Sequence, residues 1–301
     1  MPTILITGGS GLIGTALTKA LLAQGHTVRH LSRRPRDRNG VHAFAWDVQR
    51  GTLDKSALVG VEHIVHLAGE NIVGKRWSPE RLKLCRDSRT ESARLLLRAV
   101  RETGVRPKSF VSASGVGYYG AMTTDRFFNE SDPNANDTIG RLTRAWEDAV
   151  DEWQTITRVV KLRTPMVLAR EGGALPRFVP LAKWFILAPL GSGNQWMPWV
   201  HIEDLVRLYI HAMSDTVMTG AYNACASEQP QHRAFMRAIA KAVHRPLFPI
   251  AVPAFALRLA LGEMSALLTE GSRVARERLE RSGFVFEHNE VAAALDDLLK
   301  S

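Results

Sequence analysis

A glycine-rich turn directly after the first apolar run constrains this chain more than any other feature. The run Ile4–Thr7 is followed by glycines at 8, 11 and 14, and a helical pattern starts at Leu12. Gly8 permits a tight turn, Gly11 lets a ligand approach the backbone, and Gly14 lets the helix pack closely against the strand. A strand, a turn and a helix in this order predict the first unit of a parallel α/β sheet, with the helix amino terminus facing an anion.

The first 170 residues alternate short apolar runs with longer helical patterns, which is typical of a sheet whose parallel strands are joined by helices. We predict an α/β fold of the Rossmann type: a doubly wound parallel sheet with a smaller C-terminal lobe. The predicted strands are Thr3–Thr7, Thr27–Ser32, His42–Ala45, His63–Leu67, Ser109–Ser114 and Arg158–Arg163, and the predicted helices between them are Leu12–Gln24, Pro79–Thr103 and Gly140–Gln154.

Beyond residue 167 the alternation ends, and prolines and glycines become frequent. A strand followed by a helix is predicted over Trp199–Met213 and a short strand over Tyr222–Ala224, with later helices at Gln231–Val243, Pro253–Leu261 and Val291–Leu299. We assign residues 1–172 and 196–226 to a dinucleotide-binding domain. Residues 173–195 and 227–301 then form a smaller substrate lobe over the carboxyl edge of the sheet, where ligands of such sheets bind.

Composition excludes several classes of protein. No run of about 18 apolar residues occurs, so we predict no transmembrane helix and no membrane partner. The two cysteines, Cys85 and Cys225, have no neighbours at metal-ligand spacing. This argues against a disulfide scaffold or a metal site and favours a reducing, cytoplasmic location. The net charge of +9 comes without a recognition motif, so we expect attraction to phosphorylated small molecules rather than to nucleic acid.

The end of the second predicted strand indicates which dinucleotide binds. Sites that prefer NAD place an acidic residue there for the ribose 2′-hydroxyl, whereas NADP sites offer arginine to the 2′-phosphate. This chain has Ser32, Arg33 and Arg34, and the next acidic residue is Asp37. The pattern predicts NADP(H). The alternative is that these arginines form only a solvated basic loop.

Further positions are assigned to the cofactor site from their places at strand ends. Trp46 and Asp47 follow the third strand, where an aspartate can reach the adenine edge, although Asp47 is also an ordinary turn residue. Small residues end the fourth strand, where the adenine ribose must lie. The predicted cofactor-binding residues are Gly8, Gly9, Ser10, Gly11, Leu12, Ile13, Gly14, Ser32, Arg33, Arg34, Trp46, Asp47, Leu67, Ala68, Gly69, Glu70 and Arg76.

With these motifs assembled, the chain resembles the extended short-chain dehydrogenase/reductase superfamily, also called the NAD-dependent epimerase/dehydratase superfamily. Within it, the chain is similar to an atypical subgroup of epimerase family proteins. The resemblance extends over essentially all 301 residues and implies a Rossmann fold and NADP(H) binding. The motifs that carry it are Thr7–Gly14, Leu67–Ile72, Lys75–Trp77, Asp87–Arg89, Ser112–Ser114, Gly117–Gly120, Ala145–Glu147, Gly191–Trp196 and Trp199–Ile202.

One feature of the superfamily is missing from this chain. Its members use a tyrosine with a lysine four residues later, and the lysine lowers the pKa of the tyrosine so that it can act as acid and base. None of the four tyrosines here has a lysine at that spacing. Counted back from Glu147, the pair would fall near Ile139 and Thr143. A phenol with its ordinary pKa of about 10 is a poor base at neutral pH.

The candidate catalytic residues are Ser114, Tyr118 and Tyr119. Ser114 ends the fifth strand, where the superfamily has a substrate-orienting serine or threonine. Either tyrosine could donate a proton if a nearby cation such as Arg163 lowered its pKa. The alternative is that both tyrosines pack under the lobe and that Ser114 only bonds to backbone. His201 is a further titratable candidate.

Two hypotheses about function follow from these residues. The first is an NADP(H)-dependent oxidoreductase or epimerase that acts on a small hydroxy or carbonyl compound with a sugar-like character. The second is a non-catalytic NADP(H)-binding redox sensor, since the cofactor residues are present and the proton-transfer pair is absent. We also expect a homodimer, with Pro79–Thr103 as the candidate contact helix.

Overall fold

In the computed structural model, which describes residues 1–37 and 40–299, an eight-stranded sheet forms the centre of the molecule. Thirteen strands occur in the described residues: β1 Thr3–Thr7, β2 Thr27–Ser32, β3 His42–Asp47, β4 Thr52–Leu53, β5 Val61–His66, β6 Ser109–Gly115, β7 Thr124–Phe128, β8 Arg158–Thr164, β9 Met166–Ala169, β10 Gly172–Gly173, β11 Trp199–His201, β12 Gly220–Asn223 and β13 Ser272–Val274.

Ten α-helices accompany these strands in the same part of the chain: α1 Leu12–Ala23, α2 Pro79–Thr103, α3 Thr138–Asp151, α4 Leu175–Lys183, α5 Ile202–Ser214, α6 His232–Ala242, α7 Ala254–Leu261, α8 Ala266–Thr269, α9 Glu277–Glu280 and α10 Val291–Leu299. Short 3₁₀ turns lie at Lys55–Leu58, Val116–Tyr119, Glu152–Thr155 and Gly262–Ser265. Within residues 1–37 and 40–299, no helix is long and apolar enough to cross a bilayer.

The strand order places a crevice beside the glycine turn. Across the sheet the order is β12-β8-β6-β5-β1-β2-β3-β4, and all neighbours are parallel except the antiparallel pair β3 and β4. The chain builds outward from β1 through β2 and β3, and then returns to build outward on the other side from β5. The order therefore reverses between β1 and β5, where open α/β sheets bind their ligands. The predicted doubly wound fold is confirmed.

Helices cover both faces of this sheet, which explains why its strands are apolar on both sides. On one face α1 and α5 bury Leu17, Leu21 and Tyr209 against the strands. On the other face α2 and α3 bury Leu96 and Trp146. A third cluster joins α4, α6 and α10 and forms the core of the C-terminal part of the chain.

Most predicted boundaries agree with the structure to within one or two residues. One difference is that β3 continues through Asp47, so Trp46 and Asp47 end this strand rather than follow it. The short strands β4, β7, β9, β10 and β13 were not predicted. They contain two to five residues each, too few for a periodic pattern, and form only because tertiary contacts bring their partners together.

A buried aspartate fixes the C-terminal segment to the sheet domain. Asp204, in the first turn of α5, is fully buried and accepts hydrogen bonds from the amides of Glu287 and His288 at 2.9 and 2.8 Å. His201 caps the same helix, because its Nδ1 accepts from the amide of Glu203. The ring of His201 also stacks on that of His288 with a centroid distance of 3.7 Å.

Candidate active site

The glycine turn after β1 is packed against the end of β5 at backbone contact. Gly8 has φ +71°, and the Gly11 amide donates to its carbonyl at 3.0 Å. A Cβ atom on Gly8 would lie 2.8 Å from the Leu67 carbonyl carbon, and one on Gly14 would lie 2.4 Å from the Gly8 oxygen. Such distances are too short for real Cβ contacts. Glycine is therefore required at both positions for the turn to close.

The outer side of the same turn is open toward an anion. No side chain caps the amino terminus of α1 in the described chain, and its first turn carries no acidic residue. Ser10 and Gly11 are exposed, and a Cβ on Gly11 would meet only the Gly8 oxygen within 4 Å. The free amides of a helix start carry partial positive charge. This arrangement fits the diphosphate of a dinucleotide.

At the end of β2 the predicted arginines are exposed. Ser32 accepts a hydrogen bond from the amide of Arg34 at 3.2 Å, which shapes the turn, and Arg33 is exposed beside it. Asp37 is bound elsewhere, since its carboxylate accepts from the Ala43 amide at 2.8 Å, and this bond lowers its pKa. The contact of Arg33 and Arg34 with a 2′-phosphate stays a prediction.

The end of β3 is occupied by a turn. Asp47 accepts hydrogen bonds from the amides of Gln49 and Arg50 at 2.9 and 3.0 Å. These bonds match the turn-residue alternative. Trp46 precedes Asp47 in β3, and its side chain is buried in the hydrophobic core on the α2 side of the sheet. The contact of Asp47 with adenine stays a prediction.

Helix α2 holds the loop after β5. Thr7 accepts from the amides of Leu67 and Ala68, each at 3.2 Å, and the guanidinium of Arg89 packs on Gly69, where a Cβ would lie 2.8 Å from its Cζ. Arg89 also donates to the carbonyl of Glu70 at 2.9 Å. The side chains of Thr7 and Arg89 therefore fix the loop that would face the ribose.

Glu70 and Arg76 occupy different surroundings within the following loop. The Glu70 carboxylate accepts from Arg81 of α2 at 2.9 Å. Arg76 is exposed and reaches the C-terminal part of the chain, where a Cβ on Gly262 would lie 3.0 Å from its Nε. Glu70 therefore anchors the loop, and Arg76 lies next to Gly262. Direct contact of either residue with a cofactor stays a prediction.

A buried ion pair lies at the carboxyl ends of β6 and β8. Arg163 donates to both carboxylate oxygens of Glu147, Nε to Oε1 at 2.8 Å and Nη2 to Oε2 at 3.0 Å. Ser114 donates to Glu147 Oε1 at 2.6 Å, and Lys161 lies 3.4 Å from Oε2. All four residues are buried. The predicted candidate Ser114 is therefore fixed by an ionised carboxylate rather than by backbone.

The protonation of this group follows from its charges. Burial opposes ionisation of Glu147, but the hydrogen bonds and charge of Arg163, with the charge of Lys161, outweigh it and lower the pKa of Glu147. Burial likewise disfavours the charged form of Arg163, and Glu147 more than compensates, so the pKa of Arg163 is raised. Both groups are charged at neutral pH.

The two candidate tyrosines differ in their contacts. The Tyr119 hydroxyl accepts from Arg163 at 2.8 Å and donates to Asn223 Oδ1 at 2.8 Å, and burial raises its pKa to about 12. Tyr118 packs edge-on against Tyr119, and the Arg163 guanidinium lies 3.6 Å from the centre of its ring. Tyr119 thus has both hydrogen-bonding positions engaged inside the protein.

Ile139 and Thr143 lie on the buried face of α3, four residues apart, and Glu147 follows one turn later. A Cβ on Gly117 would lie 2.8 Å from Ile139 Cγ1 and 3.6 Å from Thr143 Oγ1. Thr143 donates to the carbonyl of Ile139 at 2.8 Å. This helix face reaches the turn after β6 with an apolar side chain and a hydroxyl that is already bonded.

His201 lies away from solvent. Its side chain is fully buried, and burial lowers its pKa to about 4.

The sequence analysis named Glu147 and Arg163 but did not pair them, and it missed Lys161 and Asn223. A signal was present, since Lys161 and Arg163 alternate with the apolar residues Val160 and Leu162 inside β8, and charges in a strand covered on both faces require buried partners.

Comparison with known proteins places the chain among dinucleotide-binding folds. Residues 4–225 match the model of the NAD dependent epimerase/dehydratase family, and residues 252–298 match a domain of unknown function, DUF1731. An epimerase family protein of Mycobacterium leprae is 39% identical over 97% of this chain and 94% of its own length. The crystal structure of human epimerase family protein SDR39U1 with NADPH is 31% identical, covers 98% of each chain and gives a TM-score of 0.87.

A nucleoside-diphosphate sugar epimerase from Corynebacterium glutamicum is also similar, with 28% identity and a TM-score of 0.79. The match covers 99% of this chain and 58% of that one. The predicted resemblance to the epimerase/dehydratase superfamily is therefore confirmed over most of the chain.

We predict that Glu147→Gln lowers the free energy of unfolding by about 3–5 kcal/mol at neutral pH, because it leaves Arg163 buried without its counter-ion. The lowered pKa of Glu147 stabilises the wild-type fold above the ordinary pKa of 4.5. That contribution is lost as the pH falls through the lowered folded-state pKa. Urea unfolding between pH 7 and pH 3 measures both effects.

The control is Glu152→Gln, which removes an exposed carboxylate paired with Arg94 and should change stability by less than about 1 kcal/mol. If Glu147→Gln behaves like this control at neutral pH and keeps the acid-induced loss of wild type, the buried pair does not hold the fold.

Proposed function

The chain belongs to the NAD-dependent epimerase/dehydratase family, and we propose that it is an NADP(H)-dependent oxidoreductase or epimerase. Its substrate would be a small hydroxy or carbonyl compound with a sugar-like character. The observation that carries the proposal is the glycine turn between β1 and β5, closed against Leu67 on its inner side and open, uncapped and uncharged on its outer side.

Several residues support NADP(H) as the cofactor. The free amides at the start of α1 would bind its diphosphate, and Arg33 and Arg34 beyond β2 would bind the 2′-phosphate. Leu67, Ala68 and Gly69 would lie along the ribose. The human relative binds NADPH in its crystal structure. When bound, the cofactor would supply or accept a hydride at its nicotinamide ring.

Ser114 is the group that we propose for orienting the substrate. Its hydroxyl proton is donated to Glu147, so its free lone pairs can accept a hydrogen bond from a substrate hydroxyl. The charge on Glu147 is held by Arg163, and its lowered pKa makes it a poor proton acceptor. Ser114 would therefore position an alcohol rather than pass its proton onward.

Of the two tyrosines, Tyr118 is the better candidate for proton transfer. Tyr119 donates to Asn223 and accepts from Arg163, and its raised pKa disfavours the phenolate. The Arg163 guanidinium lies over the face of the Tyr118 ring, 3.6 Å from its centre, and does not engage its hydroxyl. We assign Tyr119 a positioning role and keep Tyr118 as the candidate proton donor.

A second function is favoured by the face of α3. Ile139 and Thr143 face the turn after β6, and neither can transfer a proton as a tyrosine and lysine would. A protein that binds NADP(H) without turnover would need only the cofactor residues. Such a sensor must bind NADPH and NADP⁺ with different affinities or respond to them with different conformations.

Two further expectations stay predictions. A homodimer through α2 would bury its exposed face, and sedimentation equilibrium would test it. A cytoplasmic location accords with two free cysteines, Cys85 and Cys225, that are both buried.

We predict that Arg33→Ala weakens NADPH binding tenfold or more and leaves NADH binding nearly unchanged, because only NADPH carries the 2′-phosphate. Isothermal titration calorimetry with each cofactor measures the two affinities. Arg101→Ala, which removes an exposed arginine at the far end of α2, is the matched control. Equal losses for both cofactors would show that Arg33 has a structural role.

We predict that Tyr118→Phe abolishes NADPH oxidation with a carbonyl substrate and keeps the wild-type melting temperature. Tyr119→Phe should lower the melting temperature, because Arg163 and Asn223 lose a buried partner, and should keep measurable turnover. The assay is NADPH absorbance with aldehydes, ketones and nucleotide sugars. If wild type binds NADPH but turns over none of these classes, the sensor function replaces the enzymatic one.

A further inference from the structure

Much of the net positive charge of this chain lies in two segments of its C-terminal half, because these segments lack acidic residues. Residues 172–202 and 229–262 make up about a fifth of the sequence and contain seven lysines and arginines but no aspartate or glutamate. They therefore carry seven of the nine net charges. All seven side chains are exposed: Arg177, Lys183, Arg233, Arg237, Lys241, Arg245 and Arg258. None of them belongs to an ion pair found among residues 1–37 and 40–299.

The same two segments expose an unusual number of apolar side chains. They hold eight of the sixteen large apolar side chains that are exposed in the described chain. The eight are Leu181, Trp184, Phe185, Ile186, Phe248, Ile250, Phe255 and Leu259. Isolated exposed apolar residues are ordinary, whereas several together mark an interaction site.

Tertiary pairing brings five of these residues to one place, which we call the lobe tip: Trp184, Phe185, Ile186, Phe248 and Ile250. The amide of Phe248 donates to the Leu187 carbonyl at 2.9 Å, and Leu190 pairs with Val252 in parallel. The guanidinium of Arg245 lies 5.0 Å from the centre of the Phe185 ring. The lobe tip therefore combines apolar rings with cations.

At the lobe tip, Phe185 is held in a left-handed backbone conformation that disfavours a bulky side chain. The amide of Phe185 donates to Ala182 and that of Ile186 to Leu181, which closes α4 with a Schellman turn. Phe185 occupies the left-handed position of this turn with φ +61°. Glycine is the usual residue there, and a bulky side chain is strained. Phe185 is 52% exposed, so burial within the chain offsets little of this strain.

Helix α7 follows directly and has no buried residue. Phe255 and Leu259, four positions apart on one side of the helix, are 76% and 80% exposed. Its one charged residue is Arg258. A helix that exposes apolar side chains beside a cation can lie on a membrane surface, where apolar burial adds to the attraction of anionic headgroups.

We propose that the lobe tip binds the surface of an anionic lipid bilayer, with Trp184, Phe185 and Ile186 inserted among the headgroups. Exposed cations without partners attract anionic headgroups, and aromatic rings prefer the interface. A second copy of this chain fits the lobe tip less well, because a two-fold contact would oppose identical sets of cations. Trp184, Phe185 and Phe248 could also stack on bases, but the aliphatic Ile186 and Ile250 beside them suit acyl chains better than bases, and the test below separates the two.

This proposal departs from the sequence-based prediction of no membrane partner. That prediction considered continuous apolar runs, whereas the lobe tip is assembled from residues 184–186 and 248–250, about sixty positions apart. Binding at the surface is compatible with the finding that no helix of the described chain could span a bilayer.

The test is flotation of the full chain with vesicles of phosphatidylcholine alone and with vesicles containing an equal share of phosphatidylglycerol. We expect binding only to the anionic vesicles, weakened by salt. Phe185→Gly should reduce this binding roughly tenfold. It should keep or raise the melting temperature because glycine suits the left-handed turn, so a loss of binding cannot be attributed to misfolding.

Arg245→Gln combined with Lys183→Gln should weaken binding to the anionic vesicles as well. The matched controls are Val217→Ser, which removes an apolar side chain that is 83% exposed elsewhere, and Arg101→Gln; both should bind as wild type does. Calorimetry with NADPH should give the same affinity for every variant.

Three outcomes would overturn the proposal. One is the absence of binding to anionic vesicles, or equal binding to both kinds of vesicle. Another is binding to single-stranded RNA that Phe185→Gly removes while vesicle binding persists, which would assign the lobe tip to nucleic acid. The third is concentration-dependent self-association that Phe185→Gly abolishes in the absence of lipid, which would assign it to a second copy of the chain.

Discussion

The ion pair between Glu147 and Arg163 is the interaction on which the candidate site depends. It joins α3 to β8, binds Ser114 at the end of β6, and through Arg163 reaches the Tyr119 hydroxyl. Two buried charges each lose several kcal/mol of hydration, so such a pair is retained where geometry is good and every oxygen has a partner. Here Glu147 has three donors and a nearby lysine. The strand ends are therefore held rigidly where a substrate would lie.

The same ion pair also determines which positive charge lies near the tyrosines, since this chain lacks the tyrosine and lysine pair of the superfamily. In the superfamily, the lysine supplies positive charge next to the proton-transferring tyrosine. In this chain the buried charge near the tyrosines comes from Arg163, which approaches from β8 rather than from α3. A guanidinium cannot lose its proton at neutral pH, so it can stabilise charge without passing a proton on. The family match establishes the fold, and the proposed chemistry would use this guanidinium where relatives use a lysine.

The sequence was sufficient for the features that depend on neighbouring residues. The glycine turn, the strands β1 and β2 and helix α2 were predicted from local patterns, and the structure adds that Ser78 caps α2 and that Gly104 ends it in the left-handed conformation. The site could be predicted only in part, because Glu147, Arg163 and Asn223 are distant in sequence and meet through strand order. Asp47 shows a different limit, since its place at a strand end suggested a ligand contact but could not show that its carboxylate also accepts hydrogen bonds from the amides of Gln49 and Arg50.

The C-terminal lobe extends this distinction from the site to the surface. Net charge counted over 301 residues suggests a mildly basic protein, but seven of those charges lie in two segments that carry no acid, and the fold leaves all seven side chains exposed. The apolar residues among them form no run in the sequence, and only the pairing of residues 187–191 with 248–252 brings them together. Phe185 is strained at the end of α4 and largely exposed, so packing within the chain does not explain its conformation. The lobe would then have two tasks, to cover the crevice near Arg76 and to hold the protein at a charged surface.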